Sequence, residues 1–482
     1  MSAEQKDPFV VAYRKLLSPS KTLCRKEFTC LGDTYGEVFS MAAGLKKTLS
    51  GRGVETSVCL CTENKAVVAA SILAALAGAC NLILPHSFST HALLETYEAT
   101  GFDAAVADRP EEMPGVEMIS PTAGDMADLN PGDLRDPDRS FLKLFTGGST
   151  GKPRVWSKTP RNLLAEAFYL RDRFGLTGDD VFLSTVPPYH IYGLLFSILL
   201  PFVSRARVLP EIYTFPQEIL STINRHRATV LVSVPISYRS LKVDNLSVPS
   251  LRLAFSSSGP LDRSDARYFL KKTGLGIHEI YGSTETGGVA SRSVSENTES
   301  WQPAGPVSWR MFGRRLAVRS DFVSSEMERD AEGFCVTGDE VQPDRDGRFL
   351  LLGRADGIVK VAGKRVDLKE VQNKIQTLPT VRDAVVIALP AEKGRESEIA
   401  ALVACDLTEI QVKKMILEKL EPYAMPRRCL LYTSDAADEL PCVDLGGRRI
   451  IKKKTTKTKL TNHLSIFHQI PIITYDKLLA HT

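Results

Sequence analysis

Residues 145–158 read Phe-Thr-Gly-Gly-Ser-Thr-Gly-Lys-Pro-Arg-Val-Trp-Ser-Lys and carry the clearest chemical signal in the chain. Glycine lets the main chain approach a ligand closely, so such a loop can present backbone N–H groups to a polyphosphate. The apolar run before it predicts a buried strand that delivers the loop. A Walker-type loop requires Gly-x-x-x-x-Gly-Lys followed by a hydroxyl residue. Here three residues separate Gly147 from Gly151, and Pro153 follows Lys152, which excludes a Walker-type loop.

Further motifs follow this loop along the chain. They are Tyr281-Gly282-Ser283-Thr284-Glu285, then Thr337-Gly338-Asp339, then Gly353-Arg354-Ala355-Asp356 with segment 358–366 after it. In type, order and separation the four motifs resemble those of the AMP-forming adenylating enzymes. That family includes acyl-CoA synthetases, aryl-CoA ligases, peptide-synthetase adenylation domains and luciferases. The resemblance runs from about Thr34 to Arg428.

The resemblance implies ATP and Mg²⁺ as ligands and assigns roles to the motif residues. The phosphate loop would hold the β- and γ-phosphates and the leaving pyrophosphate through Thr146, Gly147, Gly148, Ser149, Thr150, Gly151 and Lys152. Glu285 would bind Mg²⁺, which proteins usually hold with one or two carboxylates together with phosphate oxygens and water. Thr284 would donate to the α-phosphate. The Tyr281 ring would stack on adenine, with Gly282 and Ser283 in the same nucleotide-binding motif.

Other residues would bind the ribose, line the acyl route and form a hinge. Asp339 would accept from both ribose hydroxyls, since a carboxylate is an acceptor-only group, and Arg354 would reach the same ribose or the phosphate. His190 corresponds to a family histidine between the acyl site and the phosphates; the alternative is a structural histidine in the Pro-rich loop 187–193. Asp356 matches the hinge about which the family's small domain rotates. The expected catalytic set is Thr284, Glu285, His190, Lys152 and Asp356.

Strand-like runs alternate with helical patterns, which predicts an α/β protein with mostly parallel sheets. Predicted strands include 57–61, 81–84, 181–185, 229–234 and 252–255, and predicted helices include 35–50, 66–77, 161–174 and 264–272. We expect a large, multi-subdomain adenylating domain over 1–355. A small, truncated α+β domain should follow over 356–428, with helices at 367–378 and 408–420 and strands at 381–389 and 397–405. Residues 363–366 would face the active site in the thioester-forming state.

The end of the chain has a different character. From Cys429 onward it resembles a sequencing adapter translated in frame, and the alternative is a genuine basic tail. We therefore treat 429–482 as non-native and assign it no structure. The family's adenylation lysine should follow a Leu-Pro pair near the carboxyl terminus, but Gly447 stands at the corresponding place. Losing one transition-state donor typically costs about 10²–10³ in rate, so we expect this chain to bind ATP but to adenylate poorly.

Composition argues against several other classes of function. The chain carries a net charge of +4, but 429–482 holds 8 Lys/Arg and 5 Asp/Glu, which leaves +1 for the rest. That charge gives no reason to expect a nucleic-acid partner. The longest apolar stretch, 191–203, is too short to span a bilayer. The cysteines show no metal-ligand spacing. A reducing cytoplasm is the expected location by default.

The residues and the resemblance together predict an AMP-forming acid–thiol ligase. It would convert a small-molecule carboxylic acid (fatty, aryl or otherwise apolar) to an acyl-adenylate with release of pyrophosphate. The acceptor would be the thiol of CoA, or of phosphopantetheine on a free-standing acyl carrier protein. A non-catalytic nucleotide-binding homologue is one alternative, which the intact Glu285, Asp339 and phosphate loop disfavour. A luciferase-like adenylating monooxygenase is another, because it shares these motifs and differs in using oxygen.

Overall fold

Two largely parallel sheets and several smaller antiparallel ones make up the fold. The computed structural model describes residues 7–30, 32–52, 55–107, 116–129, 131–146, 154–296, 298–355, 357–361, 364–389, 397–405, 407–417 and 419–432. Apart from Tyr432, these residues belong to one compact unit, Met1–Leu431.

The first sheet has six strands. In spatial order they are Glu117–Ile119, Ala104–Ala107, Ser57–Cys61, Asn81–Leu84, Leu142–Thr146 and Arg154–Lys158. Neighbours run parallel except the last two, which pair antiparallel with Leu142 opposite Lys158 and Thr146 opposite Arg154. Leu142 is fully buried, so the buried strand predicted before the phosphate loop is confirmed. The loop therefore connects two strands of one hairpin.

The second sheet has seven strands. In spatial order they are Gln302–Pro303, Gly287–Ser293, Ile277–Ser283, Leu253–Ser256, Val230–Ser233, Val181–Ser184 and Arg207–Ile212. The last five run parallel, while the first two are antiparallel additions at one edge. The central strands are buried along their whole length, as expected for parallel sheets covered by helices on both faces.

Helices connect and cover these strands. The α-helices of the described ranges are Pro8–Leu16, Lys21–Cys24, Tyr35–Leu49, Lys65–Leu76, Thr90–Thr100, Pro160–Arg173, Ile191–Leu194, Leu200–Ser204, Pro216–His226, Pro235–Ser240, Arg263–Thr273, Leu368–Gln376 and Glu409–Leu417. Leu195–Leu199 is a π-helical turn, and Met126–Asp128, Pro131–Asp133, Val294–Glu296, Arg345–Gly347 and Pro422–Ala424 are 3₁₀ turns. Thr34 with Glu37 and Thr159 with Asn162 form capping boxes, which explains where two of the long helices begin.

The remaining strands form antiparallel structures. A third sheet contains Ser308–Phe312, Arg315–Arg319, Cys335–Pro343 and Phe349–Arg354. After it come a hairpin of Ile358–Val361 and Lys364–Asp367 and a last sheet of Val381–Leu389, Glu398–Cys405 and Arg428–Tyr432. The helices and strands expected over 367–420 are present, and their buried residues form a hydrophobic cluster that includes Val366, Val371, Val403 and Ile416.

One element lies where we assigned no structure. Residues 429–432 continue the strand that begins at Arg428, and Cys429 is 6% exposed within the cluster of the last sheet. An apolar side chain at position 429 adds to the core whether or not the segment is native, because burial of apolar surface is stabilising. The expectation for 429–432 was therefore wrong.

Candidate active site

Part of the predicted site lies outside the described residues. Gly147, Gly148, Ser149, Thr150, Gly151, Lys152 and the hinge residue Asp356 fall there, and their roles stay predictions. Thr146 ends the strand Leu142–Thr146, and its side chain is also outside the described part. The structure places the remaining predicted residues, which are Tyr281, Gly282, Ser283, Thr284, Glu285, Asp339, Arg354 and His190.

Tyr281, Asp339 and Arg354 form a chain of polar contacts. Tyr281 lies on strand Ile277–Ser283 of the second sheet, whereas Asp339 and Arg354 lie opposite each other on neighbouring strands of the third. The Tyr281 hydroxyl donates to Oδ2 of Asp339 over 2.7 Å, and Nη1 of Arg354 lies 3.4 Å from Oδ1 of Asp339. Residues from three separate sequence motifs thus meet at the junction of two sheets.

The Asp339 carboxylate keeps capacity for a ligand. Its side chain is 20% exposed and that of Arg354 is 24% exposed, so the pair is reachable from solvent. An ionised carboxylate offers about four lone-pair sites, and Tyr281 and Arg354 account for two of the contacts. The remaining acceptor capacity suits the two neighbouring hydroxyls of a ribose, as predicted for this residue.

The ring of Tyr281 is held by aromatic neighbours. Its centroid lies 5.5 Å from that of Trp301 and 6.1 Å from that of Phe349. Burial, with the negative charge of Asp339, raises the pKa of Tyr281 well above its ordinary value. The hydroxyl therefore stays protonated and donates to Asp339. The sequence assigned only the ring to nucleotide binding and gave no sign of this hydrogen bond.

Thr284 and Glu285 lie in the turn that joins strands Ile277–Ser283 and Gly287–Ser293. The hydroxyls of Ser283 and Thr286 are 2.9 Å apart, which closes the turn from both sides. The Glu285 carbonyl accepts from the backbone N–H of Ser324 over 2.8 Å. The turn is thus tied both to itself and to a neighbouring segment.

Gly282 precedes this turn and admits no side chain. A Cβ atom at Gly282 would lie 2.2 Å from the carbonyl oxygen of Gly287, which is far inside contact distance. Gly287 itself has a φ of +67°, a region that favours glycine. The two glycines let the strands on either side of the turn approach closely.

Two charged residues that the sequence analysis missed lie behind the turn. Lys158 is 1% exposed and Glu166 is 3% exposed. Nζ of Lys158 donates to the Phe322 carbonyl over 3.1 Å, and Oε1 of Glu166 accepts from the Gly288 N–H over 2.8 Å. Burial lowers the pKa of Lys158 and raises that of Glu166, and the charges of the two residues oppose those shifts. Lys158 ends the segment 145–158 but was given no role there, Glu166 belongs to no predicted motif, and neither residue was predicted to be buried.

His190 is exposed and lies at the start of helix Ile191–Leu194. Its ring centroid lies 4.7 Å from that of Tyr189. Desolvation by the surrounding protein, together with the positive charges of Lys364 and His86, lowers the pKa of His190. Lys364 belongs to the hairpin of Ile358–Val361 and Lys364–Asp367, and the orientation expected for residues 363–366 stays a prediction. The apolar side chains after His190 are core residues, namely Leu194, Leu195, Ile198 and Leu199.

Three serines, residues 256–258, lie at and directly after the end of strand Leu253–Ser256, and the backbone there is unusual. Ser258 has a φ of +72°, in the left-handed region that favours glycine. The Ser257 hydroxyl donates to the Ile280 carbonyl over 2.8 Å, and Nζ of Lys360 donates to the Ser258 carbonyl over 2.5 Å. These contacts hold the segment beside the strand that carries Tyr281.

The ligand chemistry of the described residues fits Mg²⁺ held jointly with a substrate. Within the described ranges, no group of three or more His, Cys, Asp and Glu side chains could hold a metal ion by itself. Mg²⁺ is commonly bound by one or two carboxylates plus substrate phosphates, not by an all-protein cage. Glu285, in a turn at the end of a strand, matches that requirement. No helix in the described part of the chain is long and apolar enough to cross a membrane.

The roles of these residues stay predictions, while comparison with known proteins shows the family of the chain. Residues 31–340 match the family model described as AMP-binding enzyme. This match covers more than half of the chain, and the protein therefore belongs to the AMP-binding enzyme family.

Curated relatives are distant. Peroxisomal OPC-8:0-CoA ligase 1 of Arabidopsis thaliana is 26% identical over 364 residues, 67% of this chain and 66% of the relative. Medium-chain fatty-acid–CoA ligase of Escherichia coli is 24% identical over 332 residues, 61% of this chain and 58% of the relative. Malonate–CoA ligase of Arabidopsis thaliana is 25% identical over 387 residues, which are 67% of this chain and 61% of the relative. The chain thus spans less than two thirds of the length of each.

Solved structures share the fold. ATP-bound MatB from Rhodopseudomonas palustris superimposes with a TM-score of 0.64 at 25% identity, covering 88% of this chain and 95% of MatB. An o-succinylbenzoate CoA synthetase from Bacillus subtilis gives a TM-score of 0.70 at 19% identity, covering 87% of this chain and 94% of that one. The predicted α/β adenylating fold with mostly parallel sheets is confirmed.

Proposed function

We propose that this protein is an AMP-forming acid–thiol ligase that uses ATP, Mg²⁺ and CoA. Its carboxylic-acid substrate would attack the α-phosphorus of ATP, giving an acyl-adenylate and pyrophosphate, and a thiol would then displace AMP. The observation that carries this proposal is the contact of Asp339 with both Tyr281 and Arg354, beside the turn that holds Thr284 and Glu285. The names of the relatives, all CoA ligases, support CoA as the acceptor.

In the first half-reaction a carboxylate meets a polyanion, so positive charge and oriented donors must offset the repulsion. Asp339 would fix the ribose, while Thr284 would donate to the α-phosphate. Glu285 would hold Mg²⁺, which when bound neutralises charge on the triphosphate. The N–H groups and side chains of residues 146–152 would bind the β- and γ-phosphates.

We further propose that the acid is fatty, aryl or otherwise apolar. The relatives include a medium-chain fatty-acid–CoA ligase and 4-coumarate–CoA ligase-like proteins, which supports this class. His190, whose lowered pKa keeps its ring neutral near pH 7, can border such an acyl group without placing a charge beside it. The cytoplasmic location expected from the sequence stays a prediction.

We also infer that this chain adenylates slowly, because Gly447 stands where the family's adenylation lysine is expected. The test measures acid-dependent pyrophosphate exchange by the full chain beside a CoA ligase that carries this lysine. We expect exchange that is slower by about 10²–10³-fold in this chain. Exchange at the same rate in the two proteins would overturn this inference.

The overall proposal is tested by incubating the protein with Mg·ATP and acids of three types: medium-chain fatty, aryl and short dicarboxylic. We expect AMP release that depends on a fatty or aryl acid, and an acyl-CoA when CoA is added. Formation of a thioester on a carrier protein but not on CoA would show that the acceptor is a carrier protein. AMP release that requires oxygen would indicate a monooxygenase. ATP binding without any acid-dependent AMP release would indicate a non-catalytic homologue.

A further inference from the structure

Lys158 and Glu166 are unusual because both are almost completely buried. Their exposed fractions of 1% and 3% are rare for charged residues, which are seldom buried unless they are paired. A buried charge is costly when it lacks compensation. Their surroundings should therefore show what offsets that cost.

Lys158 ends strand Arg154–Lys158, directly after the predicted phosphate loop. Its Nζ atom donates to the Phe322 carbonyl over 3.1 Å. The negative charges of Glu166, Glu285 and Glu326 all act on this ammonium. The buried lysine thus contacts the Phe322 carbonyl and lies within the electrostatic influence of three carboxylates, one of which is the proposed Mg²⁺ ligand Glu285.

Glu166 lies on helix Pro160–Arg173 and supports the strand that leaves the turn. Its Oε1 accepts from the Gly288 N–H over 2.8 Å. A Cβ atom at Gly287 would lie 2.7 Å from Oε2 of Glu166, and one at Gly288 would lie 2.5 Å from Oε1. The carboxylate therefore packs directly against the backbone two and three residues beyond Glu285.

A third segment links the two buried residues to the turn. The Ser324 N–H donates to the Glu285 carbonyl over 2.8 Å, while the Phe322 carbonyl two residues earlier accepts from Lys158. Nδ2 of Asn162, on the same helix as Glu166, donates to the Val323 carbonyl over 3.2 Å. Residues 322–324 thus connect Lys158, the helix and the Glu285 turn.

We propose that Lys158 and Glu166 are positioning residues that hold the Glu285 turn in the conformation that binds Mg·ATP. This inference rests on the proposed function, because it needs Glu285 to be the Mg²⁺ ligand. Lys158 offsets the repulsion among the carboxylates around it and fixes residues 322–324. Glu166 fixes the backbone at Gly288. Neither residue needs to touch the nucleotide.

A purely structural role predicts a different result, so the test measures the dependence of ATP binding on Mg²⁺. Calorimetry on the full chain would give the ATP affinity with Mg²⁺ and with a chelator, and the ratio of the two reports the metal contribution. We expect Lys158→Met and Glu166→Gln each to reduce this ratio about tenfold, with a smaller change in ATP affinity under chelator. Lys65→Met is the matched control, since Lys65 is also 1% exposed but binds the Leu209 and Glu211 carbonyls.

Folding and coupling are checked with two further variants. Replacing both charges, in Lys158→Met with Glu166→Gln, removes the buried pair together and should fold even where a single variant does not. Adding Lys158→Met to Glu285→Gln should change the ratio no further, because both changes act on one ligand. An unchanged ratio in the folded double variant, or an equal drop in Lys65→Met, would overturn the positioning role. Absence of Mg·ATP binding in the wild-type chain would overturn the proposed function, and this inference with it.

Discussion

The proposed ribose end and metal end of the site are built in different ways. At the ribose end, Asp339 and Arg354 are 20% and 24% exposed, and Asp339 contacts both Arg354 and Tyr281 directly. At the metal end, the turn with Glu285 is supported from behind by Lys158 and Glu166, which are 1% and 3% exposed. The first region is held by residues that would touch the nucleotide, and the second by residues that would not. Substitutions at the two ends should therefore separate affinity from stability.

The largest difference is expected in folding stability. Lys158→Met leaves the buried Glu166 without the positive charge that acts on it and should lower the free energy of unfolding by about 3–5 kcal/mol. Arg354→Met removes a partly exposed partner of Asp339 and should cost less than about 1 kcal/mol. Urea denaturation of both variants measures the two losses in the free energy of unfolding. Equal losses would show that the two ends are supported alike.

Substitution of the proposed metal ligand should have the largest effect on the rate of AMP release. Glu285→Gln keeps the size of the side chain but removes the charge that Mg²⁺ requires. Acid-dependent AMP release should fall by about 10²–10³ relative to the unsubstituted chain. Thermal unfolding of the same variant controls for folding. A rate within threefold of the parent would argue against Glu285 as the metal ligand.

Substitution at the ribose end should mainly weaken the affinity for the nucleotide. Asp339→Asn exchanges a charged acceptor for an amide and should weaken AMP binding by about 1.5–3 kcal/mol, or roughly 10- to 150-fold. The neighbouring Glu340→Gln is the control, since Glu340 pairs with the exposed Arg314 over 3.2 Å. Calorimetry with AMP distinguishes the two variants. If both bound AMP equally well, Asp339 would not be the ribose acceptor.

A smaller effect concerns His190, which belongs to neither end. Its pKa is lowered from an ordinary value of 6.5, so the folded protein holds this ring neutral at pH values where the unfolded chain is already protonated. The unfolded state then binds more protons, and stability should fall as pH drops below about 6.5. NMR titration of the imidazole should give a midpoint below 6.5, and His190→Gln should flatten the pH dependence of stability. A midpoint at or above 6.5 would contradict the assigned environment.

The sequence predicted much of the fold because its signals are local. Apolar runs and helical spacing located strands such as Ser57–Cys61 and Asn81–Leu84 at the expected residues, and helix Tyr35–Leu49 ended one residue early. Capping boxes at Thr34 and Thr159 mark where two helices begin, but they were not among the signals used for the predictions. Strand Arg428–Tyr432 was not predicted because the chain from Cys429 onward was set aside as non-native.

The site was predictable only where motifs carry it. Tyr281, Asp339 and Arg354 were assigned to one nucleotide, and the structure brings them together. Lys158 and Glu166 were not, since a lysine at the end of a strand and a glutamate on a helix are ordinary surface residues by type. Only the packing of residues 322–324 and Gly288 against them reveals their burial.

In the proposed mechanism, Mg·ATP binds through the Glu285 turn and Asp339. Isothermal titration of the full chain with ATP, with and without Mg²⁺, measures this binding and its dependence on the metal. We expect a saturable heat that weakens strongly when Mg²⁺ is removed or when Glu285 is replaced by Gln. No heat with Mg·ATP from folded protein, or equal affinity with and without the metal, would contradict it.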